Sequence, residues 1–251
     1  MWIALVCGLV FGVAFGLTGV GGSVFAVPML VYAIGLPPHR AVCVAMLVVS
    51  ALSLLNTVWH WRRGAIEFEV SVILAAAGIV GAPIGAWIGR FLSGESLMLL
   101  FAAVVFVIAT RMFLLRSNLN LRAVRGFTSK AARRYALALA GLITGILAGL
   151  LGVGGVLIVP ALVLVAGIQI RYAIATSQAA VFWIGLSAMS SHLLAGQRVP
   201  LLTTSLFLAS GALGMVASTR FAKRLSTRTL EIMFSAAMVA VATVILVRTF
   251  I

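Results

Sequence analysis

Acidic side chains are nearly missing from this sequence. Four Asp and Glu stand among 251 residues, against 18 Lys and Arg. All charged residues together make up 9%, where a soluble domain carries about a quarter. That shortage excludes a water-soluble globule, because too little polar surface remains to cover one. Cysteine is scarce as well. Cys7 and Cys43 lie in separate apolar stretches without CxxC spacing, so there is no disulfide scaffold and no thiol pair; both read as small core residues. With four acids and three histidines, neither a cation cage nor an acid–base enzyme site has obvious groups to use. We expect no metal site, no cofactor and no enzymatic activity.

Apolar residues are what the chain has in quantity: 63% of it, with a mean hydropathy of +1.24. It reads as a multi-pass protein of the lipid bilayer. The net charge of +14 would suggest nucleic acid in a soluble protein. In a membrane protein, basic residues anchor the cytoplasmic ends of helices, and no nucleic-acid partner is expected. The N-terminus is apolar from Trp2 without a basic leader, so it reads as a retained helix rather than a signal peptide.

The sequence repeats itself. Gly8, Gly12 and Gly16 recur as Gly141, Gly145 and Gly149 at an offset of 133, and Gly19-Val20-Gly21-Gly22 recurs as Gly152-Val153-Gly154-Gly155. After a one-residue deletion, Pro28, Ala41, His60 and Gly64 meet Pro160, Ala173, His192 and Gly196 at 132. Gly81, Gly85 and Gly89 then meet Gly214, Ser218 and Ala222, again at 133. Gly, Pro and His landmarks shared over so long a stretch indicate a tandem duplication. We divide the chain into a first repeat (1–116), a basic linker (117–133) and a second repeat (134–251).

Each repeat holds five apolar segments: 2–18, 23–35, 39–61, 68–91 and 96–115, then 135–151, 156–167, 172–195, 201–222 and 229–250. A bilayer needs about 20 helical residues. The last three segments of each repeat suffice, whereas the second is too short. The first two therefore predict a hairpin that enters and returns, with GVGG at its tip. A hairpin plus three spans changes sides an odd number of times, which inverts one repeat relative to the other. With the linker cytoplasmic, only Arg40, Arg90, Arg198 and Arg248 fall outside, as the positive-inside rule requires. The expected fold is an all-α polytopic membrane protein of two inverted repeats. Each is a Gly-tipped broken or re-entrant hairpin plus three full transmembrane helices, and both termini lie outside.

Inverted repeats with broken helices mark transporters, with a site near the midplane between the repeats. Glycine permits a sharp turn and close backbone approach, and the helix behind each tip starts with unpaired N–H groups. Two such ends can hold an anion without a buried Lys or Arg. The candidate binding residues are thus Gly19, Gly21, Gly22 and Ser23, with Gly152, Gly154 and Gly155. A packing role for these glycines is the alternative. The Gly-x3-Gly series read as packing seams, within one protomer or between two in a homo-oligomer. Thr176, Ser177 and Gln178 open a span where the first repeat has Val44, Ala45 and Met46, which predicts an asymmetric site. These three either donate to an oxyanion or back-bond to their own helix. Ser53, Asn56, Thr57 and His60 share a helical face that should point into the bundle; Asn56 joins the candidate set. His60 and His192 end their spans, as interfacial caps or as proton carriers. The acids Glu67, Glu69, Glu95 and Glu231 fall near predicted helix starts, where the helix dipole favours them.

At these residues the sequence resembles a known family. GLTGVGGSVFAVPML at 16–30, GLLGVGGVLIVPAL at 149–162, the AIATS run at 173–177 and the paired His-x3-Gly are similar to the TauE/SafE family of sulfite and organosulfonate exporters, over essentially the whole chain. The resemblance implies a bacterial-type inner-membrane carrier for a small sulfur-containing anion such as sulfite, sulfoacetate or a related sulfonate. Export is the favoured direction, since moving an anion outward gains about 2.3 kcal/mol per 100 mV of negative-inside potential. An anion channel, or a carrier of another organic anion, is the alternative.

Overall fold

The structure, a computed structural model, describes residues 1–62, 64–115, 130–155, 158–159, 161–162 and 167–222. Arg63, Pro160, most of the linker, the basic residues from Lys223 to Arg228, Glu231 and the last expected span lie outside the described residues. The described part contains helices α1 (Trp2–Thr18), α2 (Pro38–Trp61), α3 (Phe68–Gly89), α4 (Gly94–Leu115), α5 (Lys130–Leu151), α6 (Ile170–Leu194) and α7 (Leu201–Ala222). Local chemistry sets their ends. Pro38 opens α2, where a ring-fixed φ suits the first turn and a missing N–H costs nothing. Glu67 precedes α3 and Glu69 sits in its first turn, facing the positive end of the dipole. Helix α5 is already formed at Lys130, where the described residues resume, ahead of the apolar run from 135; Lys130, Arg133 and Arg134 can carry that turn into a polar layer on long apolar stems.

Among the described helices, α2, α3, α5, most of α6 and most of α7 are long and apolar enough to cross a membrane. Their outward faces are apolar too. Val6 and Val10 on α1 and Val72 and Val80 on α3 are exposed. Exposed aromatics mark both ends of α3: Trp61 meets Phe68 edge-on at 6.4 Å, and Trp87 meets Phe91 at 4.9 Å. Its 22 residues span about 33 Å, close to the hydrocarbon thickness, which places the rings at headgroup depth. The described residues are those of an all-helical polytopic membrane protein.

The core is built by pairing across the repeats. Helix α1 packs on α7, and α5 packs on α3. Added side-chain carbons at Gly8, Gly12 and Gly16 would run into Phe207, Gly211 and Met215; at Gly141, Gly145 and Gly149 they would run into Leu74, Gly78 and Ala82. Each contact in the first set recurs in the second at the offset of 133. The seams therefore serve within the chain, bringing backbones close enough for dispersion and Cα–H···O contacts. In both sets partner numbers rise together, so α1 runs parallel to α7 and α3 parallel to α5. The central helices α2 and α6 pack on each other, and Ser50 Oγ donates to the Phe182 carbonyl at 2.8 Å. These two residues occupy equivalent positions, 132 apart.

Between α1 and α2 the chain turns at Gly19 (φ +69°) and continues as an irregular helix. Gly19–Phe25 is a 3₁₀ run, Ala26–Pro28 one α-turn and Met29–Ala33 a π-turn. A side chain at Gly22 would strike the backbone of Ala14 and Phe15, so the segment folds back on α1 as a hairpin does. Gly152 makes the same left-handed turn, at φ +75°. Residues 153–155 after it are not helical, and helical turns resume at 158.

Candidate functional site

Each glycine tip rests on the central helix of the other repeat. The space a side chain at Gly19 would take is bounded by Ile174 and, at 3.6 Å, by Nε2 of Gln178, both on α6. At Gly152 it is bounded by Val27 and Val42, and at Gly154 by Val181 at 3.6 Å and Met46 at 3.8 Å. Val42 and Met46 are the repeat equivalents of Ile174 and Gln178. The two docking arrangements thus match in backbone and differ in chemistry.

Of the three polar residues that open α6, all buried, two have their oxygens engaged. Thr176 Oγ1 accepts the Glu67 amide N–H at 3.1 Å, joining the start of α3 to α6. Ser177 Oγ donates to the Ile174 carbonyl at 2.8 Å, back-bonding within its own helix. Gln178 is different. It is fully buried, and neither Oε1 nor Nε2 has a partner among the described residues. The hydroxyl of Ser23, fully buried in the first tip, and that of Ser53 on α2 are likewise unpartnered there. An unmade hydrogen bond on a buried group costs about 1–3 kcal/mol. Such groups in a membrane core mark places that a polar ligand or water visits.

Asn56 is buried on the same face of α2 as Ser53, and Thr57 Oγ1 back-bonds to the Ser53 carbonyl at 2.7 Å. Gly21 and Gly22 lie within the 3₁₀ run; Gly22 is committed to packing on α1. Gly155 is buried at the end of the unwound second tip and accepts the Ile158 N–H at 3.1 Å. The histidines divide. His192 is buried and its Nε2–H donates to the Gly149 carbonyl at 2.7 Å, capping the end of α5 just before the second tip. His60 is half-buried at the end of α2. His39, which sequence reasoning missed, donates in the same way to the carbonyl of Gly89, the last residue of α3, at 2.9 Å. Its place one residue after Pro37-Pro38 at a helix start carries no signal for that role. No group of three or more potential metal ligands forms among the described residues.

Comparison with known proteins places this architecture. The profile described as sulfite exporter TauE/SafE matches residues 4–245. The chain belongs to this family. It is similar to a protein of Xylella fastidiosa strain 9a5c named "probable membrane transporter protein", 30% identical over 95% of this chain and 92% of that one. A protein of the same name from Xylella fastidiosa strain Temecula1 is 33% identical over 70% and 67% of the two chains. In Bacillus subtilis, "probable membrane transporter protein YdhB" is 25% identical over 66% and 68%. No solved structure matches. As a TauE/SafE member the chain is a membrane transporter, and its buried polar groups belong to a protein that moves a small molecule through the bilayer.

Proposed function

We propose that the chain is a secondary carrier that exports a small sulfur-containing anion, such as sulfite or an organosulfonate, across a bacterial-type inner membrane. The observation that carries this reading is the buried amide of Gln178, unpartnered and directed at the Gly19 turn. An amide N–H, serine hydroxyls and backbone N–H groups at a helix start are donors suited to an oxyanion without a fixed cation. The name of the family points to the same ligand class. Alternating access would come from movement of one repeat against the other.

Helix directions support inverted repeats. Within the first repeat a hairpin and one full span separate α1 from α3, so those two run oppositely. Helix α3 runs parallel to α5, so α5 runs opposite to α1, its equivalent. The linker is then cytoplasmic and both termini lie outside.

The test is uptake of labelled sulfite and sulfoacetate into everted vesicles, with and without an imposed potential. Gly154→Leu overfills the space beside Met46 and Val181, whereas Gly154→Ala adds an atom at ordinary contact distance. Saturable, potential-dependent accumulation with counterflow, lost in the leucine variant and kept in the alanine variant, is the expected result. Flux of neither anion by folded, inserted protein would sink the sulfur-anion reading. Non-saturating conductance would make the protein a channel.

A further inference from the structure

A second feature lies at the end of the bundle where α3 and α6 begin, beside residues 130–133 of α5. There a cavity of about 330 Å³ is lined by Gly64, Glu67, Arg133, Gly167, Gln169 and Tyr172 among others. Glu67 and Gln169 are the residues just before α3 and α6, and Arg133 is on α5. Two helix N-termini, those of α3 and α6, with their positive dipole ends and unpaired N–H groups, thus converge on one space beside Arg133. A side-chain carbon added at Gly64 or Gly167 would meet nothing within 4 Å among the described residues.

Among the described residues one cation and one anion, Arg133 and Glu67, line this cavity, and they are loosely joined. Arg133 Nη2 lies 3.8 Å from Glu67 Oε2, whereas the neighbouring Arg134–Glu69 pair closes to 2.7 Å. Arg133 Nε is buried with no partner among the described residues, so the guanidinium keeps donor capacity that Glu67 does not use. Glu67 also connects the cavity to the interior, because its backbone N–H is held by Thr176, two residues before Gln178. The equivalent positions of the other repeat place Gly35 and Gly196 with Arg40 and Arg198, and Val199 replaces Glu67. The acid is present at one mouth and absent from the other.

We propose that this cavity is an anion-capture site at the mouth of the transport path, in which Arg133 binds the incoming anion and the Glu67 carboxylate occupies Arg133 until the anion displaces it. The proposal rests on the anion-carrier reading for what passes onward to Gln178. Its chemistry asks for a small oxyanion, sulfonate or carboxylate, that can take a guanidinium and helix N–H groups together. Glu67 is a tethered competitor that keeps the mouth closed to weakly bound anions. With Val199 in its place, the other mouth lacks such a competitor and suits release.

The test separates this site from transport. In the purified full-length protein with Cys7→Ala and Cys43→Ala, Gln169→Cys places a reporter thiol in the cavity; Tyr172→Cys is a second reporter should the first fail to fold. Its reaction with sulfonatoethyl methanethiosulfonate is compared with that of the trimethylammonium analogue, each normalised to a free thiol. The anionic reagent should win by about tenfold or more. Glu67→Gln should raise that preference further, Arg133→Gln should abolish it, and Arg133→Lys should restore part of it. Equal normalised rates, or an anionic preference that survives Arg133→Gln, would overturn the proposal. Because the reagents report on the cavity whether or not sulfite or sulfoacetate is carried, failure here is distinguishable from failure of the carrier reading. In vesicles that do carry either anion, Glu67→Gln should lower the half-saturating concentration and Arg133→Gln should raise it; no change in either variant counts against capture.

Discussion

The first and second glycine tips are the same device in different surroundings. Both turn through a left-handed glycine, Gly19 or Gly152, and both dock on a central helix at equivalent places. The first coils tightly and meets Gln178; the second stays unwound and meets Val42 and Met46. Ser53 on α2 has Gly185 as its equivalent, and Ser23 has no hydroxyl counterpart at 155 or 156. The backbone contacts thus recur at the sequence offset while the polar groups differ. Packing in the α1–α7 and α3–α5 seams tolerates little change, since added atoms there meet backbone at nearly every position, together with the Ser210 and Ser218 hydroxyls at Gly8 and Gly16. Residues lining a ligand space meet no such limit.

That comparison can be broken at its polar end. Gln178→Met makes the first side resemble the second. It should reduce flux by about 10–100-fold, the equivalent of losing a charge-assisted hydrogen bond of about 1.5–3 kcal/mol, while thermal stability holds or rises because an unpartnered buried amide is gone. The reciprocal Met46→Gln should leave flux within about threefold and lower stability by about 1–3 kcal/mol, the cost of burying a new amide. Vesicle uptake and thermal unfolding in detergent read both.

The shared half of the comparison gives the next largest effect. Gly12→Leu and Gly145→Leu should each cost at least about 1–3 kcal/mol and by similar amounts, since Gly12 faces Gly211 as Gly145 faces Gly78. A large difference in unfolding temperature between the two would show that the seams are not equivalent. Smaller still, His192→Ala and His39→Ala each remove one hydrogen bond to a carbonyl at a helix end, worth about 1 kcal/mol. If His192 is a cap, His192→Asn should keep most of the transport activity across pH. A lost pH dependence in that variant would make it a proton carrier.

Much of the fold was legible in the sequence because apolar blocks are bounded by residues with strong local preferences. The segment 2–18 coincides with α1, that at 201–222 starts where α7 starts, and those at 39–61 and 68–91 fall within two residues of α2 and α3. That 130–134 are helical was not readable from hydropathy, since the stretch carries Lys130, Arg133 and Arg134 ahead of the apolar run. The 3₁₀ and π turns of the first tip were not readable either, because no residue type specifies them. Small-residue spacing announced seams without naming their partners; that α1 seeks α7 is a tertiary fact. In the site, the exchange of Gln178 for Met46 signalled asymmetry. Nothing local distinguished Gln178, left unpartnered, from Thr176 and Ser177, whose oxygens serve the backbone.

The one-sided anion site is most directly tested by equilibrium binding of labelled sulfite and sulfoacetate to the purified protein. Wild type and Met46→Gln should bind one anion per chain with closely similar affinity, and Gln178→Met should weaken binding by about tenfold or more. Undiminished binding in folded Gln178→Met, or two anions bound per wild-type chain, would contradict the account.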